Sequence, residues 1–168
     1  MAFAYGGDVG TPSYTEVENF CRGLGVSFTV SSDLRSDGSN SYHNTGNAAD
    51  LTSSAGQMSQ LAKILWSNYY PYMLELIHSG GSGYFVKDGK QVSASFYGAD
   101  TVSQHYDHVH VAMTVSGVTA ARAAGGRGTG ASVSNADYVD TMKTGCLPLI
   151  LVSGGIMIIG ELLWKSLT

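Results

Sequence analysis

The stretch QHYDHVHVAM, Gln104 to Met113, places His105, Asp107, His108 and His110 within six positions and then runs into apolar residues. Alternation makes its second half, His108 to Thr114 (HVHVAMT), a predicted strand. On a strand successive side chains point to opposite faces, so His108 and His110 share one face while Val109 and Val111 share the other. A strand with imidazoles on one side and valines on the other belongs in a sheet with one face on a core and one carrying chemistry. Four readings stay open from these residues alone: a metal site, a catalytic base, both, or a solvated edge.

Working outward, the flanks supply both helices and strands. Ser13 precedes Glu16 by three residues, and Val17, Phe20, Cys21 and Leu24 recur at helical spacing, which predicts a short amphipathic helix with a capping box. VSFTVSS, Val26 to Ser32, alternates and predicts a strand that leads into the polar loop DLRSDGSNSYHNTGN. Ser54 with Gln57 repeats the capping pattern before Met58, Leu61, Ile64 and Leu65, a second helix that ends before Pro71. Tyr72 to His78 (YMLELIH) predicts a strand, HSGGSG a turn, and YFVKDGKQVSASF a hairpin about Asp88 and Gly89. The fold class expected is α+β: a small antiparallel sheet with the site on one face and helices packed on the other.

Three segments follow from composition. Residues 1–114 form the folded domain; residues 115–142, rich in Gly, Ala, Ser and Thr without periodicity, read as a linker; residues 143–168 are an apolar tail. Within that tail TGCLPLILVSGGIMIIG is 17 residues without a charge, at the lower bound for crossing a bilayer, which makes a membrane contact through residues 144–164 an expectation. A buried helix or strand pair, or a fragment of a longer chain, is the competing reading. The start, MAFAYGGDVG, lacks the charged region and apolar run of a secretory signal.

A net charge of -4, with only 13% charged residues among 168, excludes the basic field that nucleic-acid binding needs. Cys21 and Cys146 lie too far apart in unlike contexts to read as a metal-binding pair, and Cys21 reads as a small buried hydrophobe.

A second cluster, SYHNTGNAADL, separates His43 from Asp50 by six residues, several of them small, with Gly46 permitting a turn that brings both side chains together. Histidines and carboxylates are zinc's usual ligands, three of them at a catalytic site. Common alternatives fit poorly. There is no His-Glu-x-x-His, and no Glu between His110 and Glu161 of the kind a cupin would place after His-x-His. His105 and Asp107 offer part of a two-histidine, one-carboxylate iron site, but His110 follows too closely to complete it.

The ordered set is different. An arginine after a strand in TVSSDLR, then Ser-x-His-x6-Asp as SYHNTGNAAD, then a carboxylate three residues before a histidine as DHVH, resembles the zinc peptidases that include D-alanyl-D-alanine carboxypeptidases and dipeptidases and L-alanyl-D-glutamate endopeptidases. The match runs from about Val26 to Thr114. The resemblance implies a Hedgehog/DD-peptidase-like fold, with His43, Asp50 and His110 as ligands to Zn2+ and Asp107 as the general base toward the attacking water. It further implies His108 in transition-state stabilisation or proton transfer, and Arg35 polarising the scissile carbonyl or holding the substrate. Two points depart from a simple transfer. Many members carry Glu where Asp107 stands, and in a regular strand Asp107 would face away from His110, so the strand should begin after it or bend there. His105 and His78 read as ordinary loop and strand-end histidines, and Ser41 as a residue that hydrogen-bonds its own loop.

The function expected is therefore hydrolysis of an amide bond in the peptide stem of bacterial peptidoglycan, as a carboxypeptidase or an endopeptidase. The alternative is a non-catalytic wall-binding or structural module on the same fold. With no signal sequence but with a linker and apolar tail, the arrangement resembles phage lysins and the peptidase segments of phage tape-measure proteins, and a membrane-anchored wall hydrolase is the other option.

Overall fold

A computed structural model describes residues 8–38 and 41–125, all within the first of two units into which the chain divides, residues 1–133. The architecture is α+β, as expected, with one six-stranded antiparallel sheet and four helices. The strands are β1 (Thr29–Ser32), β2 (Ala48–Thr52), β3 (Glu75–His78), β4 (Tyr84–Lys87), β5 (Lys90–Gln91) and β6 (Val109–Ala112). Their spatial order is β1-β2-β6-β3-β4-β5, which sets the histidine-bearing β6 between β2 and β3 at the centre.

Register decides what the site face carries. Asp50 of β2 is opposite His110 of β6, and His110 is opposite Ile77 of β3. One step along, Ala48, Ala112, Glu75 and Lys87 form a second row across four strands. The intervening residues, Ala49, Leu51, Val109, Val111, Leu76 and Val86, turn to the other face and are buried in the main core. The period-2 alternation of β6 therefore separates a polar face from an apolar one, as its sequence requires.

Helices α1 (Tyr14–Arg22), α2 (Ala55–Asn68) and α4 (Val115–Ala124) contribute to that core through Val17 and Phe20, Leu61 and Leu65, and Val118 and Ala121. Cys21 lies with them, fully buried, its thiol pushed up to about 12 chiefly by burial. The fourth helix, α3 (Ala94–Gln104), is interrupted at Gly98 (φ 77°) and follows the hairpin; its Tyr97 packs against Phe85 and donates to the Val86 carbonyl at 2.5 Å. At the hairpin turn Asp88 and Gly89 both have positive φ, 46° and 67°, the signature of a tight two-residue turn between twisted strands.

Several expectations change. The Ala94–Phe96 end of the stretch read as a hairpin opens α3, and Tyr72, read as the start of a strand, ends a 3-10 turn that precedes β3. The stretch from Val115, read as the start of a linker, forms α4: Thr114 caps it by accepting from the Gly117 N–H, and Val118 and Ala121 are buried. The domain thus continues past Thr114 to at least Gly125, because two buried residues on one helical face suffice to dock an Ala-rich segment. Ser13 does precede α1, but its side chain makes no capping bond; it donates to the Met113 carbonyl at 2.6 Å and accepts from Asn47 Nδ2 at 2.9 Å. By contrast Ser54 accepts from the Gln57 N–H as its spacing predicts. The remainder of the linker, residues 126–142, and the apolar tail, residues 143–168, lie outside the described residues. Among the described residues no helix is long and apolar enough to cross a membrane.

Candidate metal centre

His43 comes from the loop before β2, Asp50 from β2 and His110 from the neighbouring β6, and all three are buried. The loop turns back at Gly46, which has φ 71° and lies so close to Pro12 that a Cβ would sit 3.0 Å from the proline's own Cβ. Both facts favour glycine there. The Gly46 carbonyl in turn accepts from the N–H groups of Ser13 and Tyr14, tying the loop to α1.

The three side chains converge on one point. His43 Nε2 lies 3.1 Å from Asp50 Oδ1 and 3.2 Å from His110 Nδ1, and His110 Nδ1 lies 2.9 Å from Asp50 Oδ1. A tetrahedral zinc with ligands at about 2.0–2.1 Å holds them about 3.3 Å apart, so a triangle of this size has the dimensions to cradle a small metal ion. The donor set is also prepared for it. His43 Nδ1 faces the Asp33 carbonyl and donates to it, so the neutral ring that a metal requires turns its Nε2 lone pair to the triangle. Two imidazoles and a carboxylate suit zinc and other first-row divalent ions alike.

Electrostatics hold Asp50 ionised. Burial alone would raise its pKa, but hydrogen bonds from His110 and His43, and their charge, override that and keep the carboxyl far below its ordinary value. Its second oxygen, Oδ2, accepts from Arg35 Nη2 at 2.5 Å. Arg35 also donates through Nε to Ser32 Oγ at 2.8 Å and through its backbone N–H to the His43 carbonyl at 3.3 Å. The arginine thus holds one proposed ligand, Asp50, by its side chain and the backbone of another, His43, by its N–H, while 40% of its side chain remains exposed.

Asp107 and His108 sit at the rim. β6 begins at Val109, after Asp107, as the geometry of the sequence demands. The Asp107 side chain is 85% exposed and accepts from His108 Nδ1 at 2.9 Å, and this bond chiefly holds its carboxyl below the ordinary value. Consequently Nε2 of His108 is turned inward, 3.7 Å from Asp50 Oδ1. Asp107 reaches the triangle through His108 rather than directly.

Four further residues surround the site that sequence reasoning passed over or read as bystanders. His105, at the end of α3, gives Nδ1 to the Thr101 carbonyl and lays its ring beside those of His108 (centroids 4.8 Å apart) and His110 (5.6 Å). His78 is buried and donates from Nδ1 to the His108 carbonyl at 2.9 Å, pinning the residue before β6. Glu75 lies against His110 Nε2 at 3.1 Å, an ion-pair contact without the alignment of a hydrogen bond, and Lys87 closes on Glu75 Oε1 at 3.0 Å. Ser41 behaves as read, its hydroxyl accepting from the His43 N–H within the loop. The lone carboxylate in YMLELIH was the available signal for Glu75.

Comparison with known protein families, with curated proteins and with solved structures finds no match.

Proposed function

We propose that this chain is a zinc-dependent peptidase that hydrolyses an amide bond in the peptide stem of bacterial peptidoglycan, acting at the cell wall. The observation that carries the reading is the buried His43, Asp50 and His110 triangle, whose edges of 2.9 to 3.2 Å suit a tetrahedral ion and whose rim bears an arginine and a histidine–carboxylate pair. A zinc ion held there supplies a Lewis acid that activates water and polarises the amide carbonyl near neutral pH.

The remaining work falls to side chains. His108, oriented by Asp107 on Nδ1, presents Nε2 toward the metal-binding oxygen of Asp50 and is placed to take a proton from the attacking water and return it to the leaving amine. Asp107 stabilises the imidazolium that forms. Arg35, bonded to Asp50 and 40% exposed, offers a fixed positive charge to the developing oxyanion. The stem peptide as substrate, and the Hedgehog/DD-peptidase type of fold, rest on the ordered resemblance of SYHNTGNAAD and DHVH to murein peptidases. A membrane contact through residues 144–164, serving a phage-borne or anchored hydrolase, belongs to the same proposal.

One observation favours the second reading, a wall-binding module that keeps the metal without turnover: the carboxylate expected as base is largely solvated and does not touch the triangle. Incubation of zinc-loaded protein with purified peptidoglycan, followed by mass spectrometry of the released muropeptides, separates the two. The enzyme releases new peptide ends, and Asp107→Ala abolishes most of that release while retaining one zinc per chain. Absence of any cleavage by the wild-type protein with its zinc in place would leave the binding module as the surviving reading.

A further inference from the structure

The second polar row of the sheet points to an additional residue of the metal centre. We infer that Glu75, held by Lys87, is its positioning carboxylate: it fixes the His110 ring so that Nδ1, and not Nε2, is the ligating nitrogen. The inference rests on the metal reading and concerns a residue that the sequence motifs do not include.

The geometry is specific. A neutral imidazole that ligates through Nδ1 carries its proton on Nε2, and in His110 that nitrogen is buried away from solvent. Among the described residues the group that meets it is the Glu75 carboxylate, Oε2 at 3.1 Å. Glu75 reaches it because its direct partner on β6 is Ala112, whose small side chain leaves the diagonal toward His110 open. The other oxygen is occupied by Lys87 Nζ at 3.0 Å, and Lys87 stands opposite Glu75 on β4. The same ammonium lies 4.7 Å from the centre of the Tyr42 ring and 3.4 Å from its hydroxyl, next in sequence to the ligand His43. One lysine therefore ties the support of one ligand to the loop that presents another. A carboxylate behind a ligating histidine fixes its tautomer and raises its basicity as a ligand.

The test measures zinc affinity by chelator competition and, by long-range 1H–15N NMR of the zinc-loaded protein, which His110 nitrogen carries the proton. In the wild-type chain the proton is expected on Nε2. Glu75→Leu is expected to weaken zinc binding about 10- to 100-fold, Glu75→Gln by less because its amide oxygen keeps a partial negative charge beside Nε2, and Lys87→Met by an intermediate factor. Thermal melts of the zinc-free variants control for folding; if Glu75→Leu does not fold, Glu75→Gln and Lys87→Met carry the test. Wild-type affinity in folded Glu75→Leu, unchanged affinity in both of the milder variants, or a proton on Nδ1 of zinc-loaded His110 would overturn the inference, as would a wild-type chain that binds no zinc. Weakened zinc binding together with no peptidoglycan cleavage by the wild type would uphold Glu75 and remove only the peptidase reading.

Discussion

His110 is enclosed by two carboxylates, Asp50 on Nδ1 and Glu75 on Nε2, and this decides how the site responds to pH. Burial would lower the pKa of such a ring, but Asp50 and Glu75 override it and raise the imidazolium to about 9 in the metal-free protein. A metal at Nδ1 must displace that proton. Zinc affinity is therefore expected to rise about tenfold per pH unit from 6.5 toward 9 and then level, with about one proton released per zinc from His110 at pH 7. Calorimetric titrations in buffers of different ionisation heat measure the release directly. An affinity that stays flat between pH 6.5 and 9 would mean His110 is already neutral before the metal arrives.

The two serines that share a capping pattern make a test at the level of elements. Ser54 caps α2, so Ser54→Ala is expected to cost about 1 kcal/mol, the usual loss of an N-cap bond. Ser13 instead spans from α1 to the chain just after β6, and Ser13→Ala removes the donor to the buried Met113 carbonyl and one of the two acceptors of Asn47 Nδ2, which keeps the Thr11 carbonyl. Its cost is expected to be larger, about 1–3 kcal/mol, because a buried carbonyl loses this donor. Urea denaturation of the two variants ranks them, and a larger loss for Ser54→Ala would contradict this assignment. The pair also marks where sequence is readable. Local spacing reveals α1, α2, the Asp88–Gly89 hairpin and β6, because each has its own period or turn chemistry. It does not reveal that Ser13 is recruited over a separation of 100 residues, nor that α3 and α4, built from Ala, Ser, Thr and Gly with few large apolar residues, are helical. For α4 the signal is only Val118 and Ala121, and their partners lie elsewhere in the chain. A chain ending at Thr114 should accordingly lose about 2 kcal/mol or more of stability relative to one ending at Gly125, the worth of burying a valine and its neighbours, measurable in the same denaturation experiment. The site divides the same way: His43, Asp50 and His110 come together as their motifs require, whereas Glu75 and Lys87 join only through the register of β3 and β4 on β6.

For the molecule as a whole, the metal is expected to act as a cross-link between the sheet centre and one loop. Asp50 and His110 already face each other across paired strands, so the ion adds little to that pairing. His43 is different: its loop is tied to the rest through Arg35 on Asp50, Gly46 on Ser13 and Tyr14, and Asn47 on Met113, and metal ligation adds an anchor at His43 itself. Stabilisation by a ligand that binds only the folded state follows its saturation, about 2.7 kcal/mol at a free concentration 100 times the dissociation constant. Chelation should therefore lower the melting temperature by several degrees for a domain of this size. Amide exchange should accelerate from Tyr42 to Asn47 while Val109 to Ala112 remain protected. Between pH 6.5 and 9 the chelated protein is expected to lose stability through His110 while the loaded one does not, because its His110 carries no extra proton to lose. With the His110 pKa raised from 6.5 to about 9 on folding, the stabilisation from its imidazolium is fully present below pH 6.5 and disappears as pH rises through 9. Metal binding strengthens over that same interval, so the gap in melting temperature between loaded and chelated protein should widen from pH 6.5 to 9. Melts at paired pH values with and without chelator decide this, and a gap that is constant or narrows across the interval would show that His110 is not where the proton and the metal compete.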